Sequence, residues 1–349
     1  MNTKIIATAG LKSDSYEVLK KMIEAGANVI RLNFSHATYE QYGRVKESID
    51  KINEELGLNV KMLFDLQGPR IRIGKLENEI FLEKGDIYSL VYGDFDVSKK
   101  ELPIDDKDLI KDLKEGDPVF LDNGSIELSV LEIDLDHNLF KVRVERAGLL
   151  LSKKGINVPK TVLNRPILTK KDLENIEFAK KVKPDYLAIS FVQNHNDIIE
   201  LRRIVDNDDI KIVSKIERAI ALENIDSIIR ESDVIMIARG DLGIEIPLED
   251  VPIVQKNLVR HSHWHNKPAI VATQMLASMV NHYRPTRAEV SDVANAIFDG
   301  ADALMLSDET ANGSYPVDSV RTMAKIIKKT NDYFTNRNYF DKSDIVYKK

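Results

Sequence analysis

Eight short apolar runs rich in β-branched residues recur along the chain, and nearly every one is followed by a stretch with helical periodicity. The runs lie at 4–8, 28–32, 60–64, 186–191, 211–216, 234–238, 269–273 and 303–306. They are mostly continuous rather than alternating, the pattern of parallel strands buried on both faces. The segments between them, at 14–25, 38–56, 170–182, 195–206, 218–231, 249–265, 286–299 and 316–335, read as amphipathic helices. Ser13, Thr169 and Thr286 stand at the head of three of these as N-cap residues. Eight βα units are the count of an α/β chain closed into a (β/α)8 TIM barrel; a doubly wound open sheet is the competing arrangement. The barrel is favoured because polar residues gather at the C-terminal end of nearly every run, where that fold places its site.

Between 70 and 164 the alternation stops. Turn signals crowd this stretch (Glu83-Lys-Gly-Asp, Tyr92-Gly-Asp, Glu115-Gly-Asp-Pro, Asp122-Asn-Gly-Ser), and the pieces between them alternate polar and apolar. The reading is a small antiparallel β lid domain inserted after strand three. Gly68-Pro69 and Arg165-Pro166 bracket it as hinges. The barrel is thus assigned to 1–69 and 165–336, the lid to 70–164, and a polar tail to 337–349.

Composition narrows the chemistry. The 349 residues contain no cysteine, which removes disulfides, thiolate metal sites and a cysteine nucleophile. Fifty basic against 56 acidic residues leave a net charge of −6 with no Lys/Arg block, so nucleic acid is not an expected partner. No apolar run approaches the roughly 18 residues of a membrane span. The first ten residues do not read as a leader. A cytoplasmic small-molecule enzyme is expected, and an anionic substrate would need a locally positive pocket.

In Val213-Ser-Lys-Ile-Glu, Lys215 and Glu217 are two apart at a strand end and leave on the same face. Such a pair suits a metal-assisted reaction on an anion, although a strand-end salt bridge has the same spacing. In Ala238-Arg-Gly-Asp-Leu-Gly, Gly240 and Gly243 permit close backbone approach, and Asp241 can join Glu217 on a divalent ion such as Mg2+. A tight turn with a capping aspartate is the plainer reading. Arg31, Asn33 and Ser35, followed by His36, then Thr273-Gln274 and Ser307-Asp308-Glu309-Thr310, put more polar groups at strand ends. Five strands doing so together point to one site. The run His261-Ser-His-Trp-His is read as a helix end rather than a metal site.

These motifs, with Ile30-Arg-Leu-Asn-Phe-Ser-His, Ala272-Thr-Gln-Met-Leu, Arg284-Pro-Thr-Arg-Ala-Glu and Leu306-Ser-Asp-Glu-Thr-Ala, resemble the pyruvate kinase family from about residue 4 to 329. The resemblance implies phosphoryl transfer from phosphoenolpyruvate to ADP, giving pyruvate and ATP, as in glycolysis. It implies Mg2+ (or Mn2+) on Glu217 and Asp241, Lys215 neutralising the moving phosphoryl group and the enolate, and Arg31 clamping the phosphate. It assigns the substrate carboxylate to the Gly240 and Asp241 N–H groups with the Thr273 hydroxyl, and enolate protonation to Thr273, Ser307 and water. His36 and Lys154 match nucleotide positions, with Asn33 on the nucleotide and cation side, and Arg72 matches a phosphate-binding arginine at the lid hinge.

Four departures from the family's pattern carry expectations. K+-dependent members hold the ion on residues matching Asn33, Ser35 and Asp65 and carry a glutamate where this chain has Arg70, so K+-independent activity is expected. Leu11 replaces the proline of a Gly-Pro pair at the nucleotide base, and Asp308 replaces a glycine, placing an extra carboxylate near an anionic site. The family's C-terminal α/β domain is not matched. Hyperbolic kinetics without sugar-phosphate activation are therefore expected, with an assembly other than the usual tetramer, such as a homodimer. Two other readings stay open: a repurposed paralogue acting on another enolate or enol phosphate, and a silent paralogue with a binding or regulatory role.

Overall fold

A computed structural model describes residues 3–159 and 161–335, with side chains described to residue 333. The expected tail and the last barrel residue, 336, lie outside the described residues. Eight parallel strands close into a barrel: β1 (Lys4–Thr8), β2 (Val29–Asn33), β3 (Lys61–Asp65), β4 (Tyr186–Ile189), β5 (Lys211–Ile216), β6 (Val234–Ala238), β7 (Ala269–Ala272) and β8 (Ala303–Leu306). Neighbours in sequence are neighbours in the barrel, and β8 pairs with β1. The outer ring holds α1 (Tyr16–Glu24), α2 (Tyr39–Leu56), α3 (Lys170–Val182), α4 (His195–Val205), α5 (Ile225–Glu231), α6 (Val251–Trp264), α7 (Arg287–Asp299) and α8 (Pro316–Thr335). No helix among the described residues is long and apolar enough to cross a membrane.

The strands bury both faces, as their continuous apolar sequence requires. Outward residues such as Ile30, Ile212, Ile235 and Leu304 join the helix faces in the main core. Inward residues Ile6, Val29, Leu63, Ala188, Val213, Met236, Ile270 and Met305 form a smaller cluster inside the barrel. Because side chains alternate, each inward position fixes the next two residues along. Ile6 therefore sets Thr8, Val29 sets Arg31 and Asn33, Leu63 sets Asp65, Ala188 sets Ser190, and Val213 sets Lys215 and Glu217. Strand register alone delivers a ring of polar groups to the C-terminal mouth.

Thr169 and Thr286 cap α3 and α7 through reciprocal capping boxes with Asp172 and Glu289. Ser13 does not cap α1, whose N-cap is Ser15; instead the Ser13 hydroxyl accepts the Gly10 N–H at 3.1 Å. A turn of the chain costs α1 its earliest residues.

The insert leaves the barrel between β3 and β4. It holds a two-stranded pair, Ile80–Leu82 with Gly148–Leu150, and a six-stranded sheet built from Ile87–Val91, Glu101–Pro103, Pro118–Leu121, Ile126–Asp134, Leu139–Arg146 and Ile156–Asn157. It has its own apolar core around Leu90, Leu128, Phe140 and Val142. One pair, Ile87–Val91 with Glu101–Pro103, is parallel, so the sheet is mixed rather than wholly antiparallel. A short 3-10 turn at Val97–Lys99 joins the two, where a hairpin would have made them antiparallel. The chain enters and leaves through a neck in which Ile73 N–H donates to Lys154 O at 2.8 Å and Ile156 N–H to Ile71 O at 2.9 Å. Arg218 grips the returning strand by donating to Thr161 O (2.7 Å) and Val158 O (3.2 Å), held by buried Glu245 at 3.1 Å.

Phe34 and Phe64 stack at 3.5 Å between centroids beneath Tyr42 and Phe178, where β2 and β3 meet their helices. Phe64→Ala empties a fully buried ring site and is expected to cost about 3–5 kcal/mol. Urea denaturation of the purified chain checks this; a loss below about 1 kcal/mol would mean the site collapses around the gap.

Candidate active site

The mouth of the barrel is built around buried charge. Arg31 is anchored through Nε to Asp65 Oδ2 at 2.7 Å and through Nη1 to the Thr8 hydroxyl at 2.9 Å. The Thr8 hydroxyl in turn donates to Leu306 O at 2.8 Å. Asp65 is fully buried; its Oδ1 has no hydrogen-bond partner and faces Lys215 Nζ at 3.4 Å. Lys215 also reaches Glu217 Oε1 at 3.0 Å and donates to Ser190 Oγ at 2.7 Å. Two cations and two carboxylates thus neutralise one another under about a tenth exposure or less.

Their protonation follows from the setting. Burial works to lower the Lys215 pKa, but Asp65 and Glu217 outweigh it and hold the ammonium above the ordinary lysine value. Burial pushes the Glu217 carboxyl above its usual range, and the charge of Asp241 pushes it further, against the pull of Lys215. Glu217 and Asp241 are hard oxygen donors, only two in number, and among the described residues no group of three or more His, Cys, Asp or Glu could hold a metal. Such a pair fits Mg2+, which keeps several waters and takes few protein ligands.

A cavity of about 110 Å³ sits over this cluster, walled by Arg31, Asn33, Ser35, Arg70, Ser190, Phe191, Lys215, Glu217, Asp241, Thr273 and Ser307. A second, of about 620 Å³, shares Arg31, Asn33, Arg70, Thr273 and Ser307 with it and runs out past His36 to Leu11, Asp308 and Asn312. The residues read from sequence at five strand ends therefore meet in one place. Arg70 reaches back from the neck, with Nη2 3.6 Å from Asp241 Oδ1.

Backbone geometry at the mouth is unusual. Phe191, Thr273 and Gln274 adopt positive φ of 57°, 69° and 55°. For a β-branched residue such as Thr273 this costs on the order of 1–3 kcal/mol, a strain typical of functional turns. At Phe191 the bend turns its N–H onto Glu217 Oε2 at 2.8 Å. Gly68, at φ 70°, lies so close to Phe191 and Ser190 that a Cβ there would come within 3.0 Å of both side chains.

Two expected placements differ. Arg72 and Lys154 line neither cavity: Arg72 donates to Lys153 O at 2.9 Å, and Lys154 pairs with Asp122 at 2.8 Å. Both sit in the neck, where strand pairing and a nearby acid take up their polar groups. The Gly240 N–H is not free for a substrate either, since it donates to Thr273 Oγ1 at 2.7 Å. Asp308 does line the larger cavity, accepting from the Asn312 amide at 3.2 Å. Of the histidine run, His263 pairs with Asp302, while His261 and His265 lie beside Asp226.

Sequence reasoning missed Ser190 and Thr8, and it read Glu309 only as one of the polar residues after β8, not as a link between loops. Ser190 follows β4 and Thr8 ends β1, as polar residues stand at the ends of other strands, so the signal was present at both. Glu309, nearly fully buried, accepts the N–H groups of Ser307 (2.7 Å) and Leu276 (3.1 Å). Only the fold brings those two loops together.

Fold and site define a (β/α)8 barrel enzyme with a compensated-charge site suited to an anionic substrate. The family model described as the barrel domain of pyruvate kinase matches residues 1–320. Curated pyruvate kinases of Thermococcus litoralis, Bacillus licheniformis and Staphylococcus haemolyticus are 44%, 42% and 43% identical over 97%, 96% and 93% of the chain. The chain spans 71%, 58% and 56% of their lengths. The crystal structure of a pyruvate kinase from Cryptosporidium parvum superposes with a TM-score of 0.89 at 36% identity, covering 95% of this chain and 69% of that one. This chain belongs to the pyruvate kinase family.

Asp65→Ala would leave Arg31 and Lys215 buried against a missing charge. The expected destabilisation is about 3–5 kcal/mol, measured by urea unfolding at neutral pH. A change under about 1 kcal/mol would show that water enters and does the carboxylate's work.

Proposed function

We propose that the chain transfers the phosphoryl group of phosphoenolpyruvate to ADP, giving pyruvate and ATP, with Mg2+ or Mn2+ held by Glu217 and Asp241. The observation that carries this reading is the convergence of Arg31, Lys215, Glu217, Asp241, Thr273 and Ser307 on one cavity that opens into a larger one. When bound, the divalent ion supplies positive charge to enolate and phosphoryl oxygens. The chain's own groups do the rest by position and electrostatics.

Arg31, fixed through Nε and Nη1, keeps Nη2 for the phosphate. Lys215 is held protonated and meets the charge that moves between enolate and phosphoryl oxygens. The Thr273 hydroxyl lies in the wall on the side of the Asp241 helix, suited to donate to the enolate carbon, with Ser307 and solvent restoring its proton. Swinging of the insert over the mouth, about hinges near Gly68-Pro69 and Arg165-Pro166, would exclude water and bring Arg72 and Lys154 towards the phosphates. His36, in the wall of the larger cavity, takes the nucleotide side.

Potassium is not needed in this reading. Asn33 Oδ1 accepts the Ser35 N–H at 3.1 Å, and Asp65 already faces two cations. Arg70 adds a fixed positive charge to the same cavity. A related enol phosphate is the second candidate substrate, favoured by Asp308 and Leu11 in the wall of the larger cavity.

A coupled assay for pyruvate decides among these readings. Turnover with ADP and Mg2+ is expected, unchanged when K+ is replaced by tetramethylammonium, and Arg70→Glu is expected to acquire a K+ requirement. Phosphoenolpyruvate binding without turnover would instead mark a silent paralogue. Lys215→Met is expected to lower kcat by about 10²–10³-fold; near-normal turnover in that variant would break the assignment.

A further inference from the structure

Arg239 opens the short helix Arg239–Glu245 that carries Gly240 and Asp241, yet its side chain turns away from the cavity. Its fork grips Asp292 on α7 through both oxygens, Nη1 to Oδ1 at 2.7 Å and Nη2 to Oδ2 at 2.8 Å. From that anchor Nη2 also donates to Thr273 O at 2.9 Å and Nε to Ala272 O at 3.4 Å. Thr273 is thus held from two sides: by its carbonyl through Arg239, and by its hydroxyl through the Gly240 N–H. The hydroxyl's own proton points to Ala272 O at 2.6 Å, the oxygen that Arg239 also approaches.

We propose that Arg239 is a positioning residue for the protonation half of the reaction, holding Thr273 in its left-handed turn and competing for Ala272 O so that the hydroxyl proton can turn to the enolate. The inference rests on the reading above that the chain makes pyruvate. In the step it serves, the C=C electron pair of the enolate takes the hydroxyl proton and becomes the new methyl C–H bond. The charge on the enolate oxygen becomes the ketone C=O, and the Thr273 oxygen recovers a proton from solvent. Arg239 touches no reacting atom. It sets where the hydroxyl sits and how firmly its proton is held. A lysine keeps the charge but cannot make the planar double contact to Asp292 while reaching two carbonyls.

Arg239→Lys and Asp292→Asn, assayed with Mg2+, separate this role from packing. Protonation is read in reverse, as uptake of deuterium into the pyruvate methyl group in D2O with ATP present; transfer is read as ATP formation from phosphoenolpyruvate and ADP. Expected in both variants is a fall in deuterium uptake of about tenfold or more, a smaller fall in ATP formation, and a KM for phosphoenolpyruvate within about threefold of wild type. Deuterium uptake at the wild-type rate overturns the proposal, and so does a proportional loss of uptake and ATP formation. Should Arg239→Lys fail to fold by circular dichroism, Asp292→Asn, which leaves the arginine in place, is read by the same ratio. A wild-type chain that makes no pyruvate overturns the functional reading itself, and this inference with it.

Discussion

Charge compensation under the barrel mouth is the constraint on which the site depends. Four ionised groups, Arg31, Asp65, Lys215 and Glu217, are taken out of water by the strands that carry them. Each alone would be costly to bury; together they are tolerable because every cation has a carboxylate within 3.4 Å. The cluster fixes Arg31 and Lys215 in place before any ligand arrives. Glu217 has Lys215 as its ion-pair partner, while burial and the charge of Asp241 push its carboxyl up. Stability and ligand demand are set by the same four residues.

Around this centre the scaffold supplies direction. Inward positions on β1 to β5 deliver side chains at two-residue intervals, so registry of the strands becomes registry of the site. The turns after β4 and β7 then depart from ordinary backbone. Phe191 and Thr273 accept left-handed geometry, and in return one aims an N–H at Glu217 and the other sets a hydroxyl oxygen to accept the Gly240 N–H. Such turns persist because neighbours over-determine them.

Much of this was legible in the sequence. Strand edges came within a residue or two because parallel strands buried on both faces read as unbroken apolar runs. The polar strand ends could be read as one site because the barrel leaves them no other place to go. Sequence could not show what depends on neighbours distant along the chain. Glu309 joining two loops, Arg239 reaching Asp292 and Lys154 turning to Asp122 are choices among partners that no local pattern encodes. Ser13 was misread for a related reason, since its hydroxyl serves a preceding turn instead of the helix after it. The parallel pair inside the insert was hidden because alternation reports a half-buried strand and not the direction of its partner.

The neck of the insert has a mechanical meaning of its own. Its incoming and outgoing strands are hydrogen-bonded to each other across Arg72 and Gly155, forming a two-stranded ribbon rather than two independent tethers. A ribbon of this kind resists stretching and sliding of one edge past the other, yet yields to flexing and torsion. Arg72 and Lys154 ride on opposite edges of it. Were the ribbon to flex, it would carry the two cations as one body, with their spacing set by the ribbon and not by the barrel.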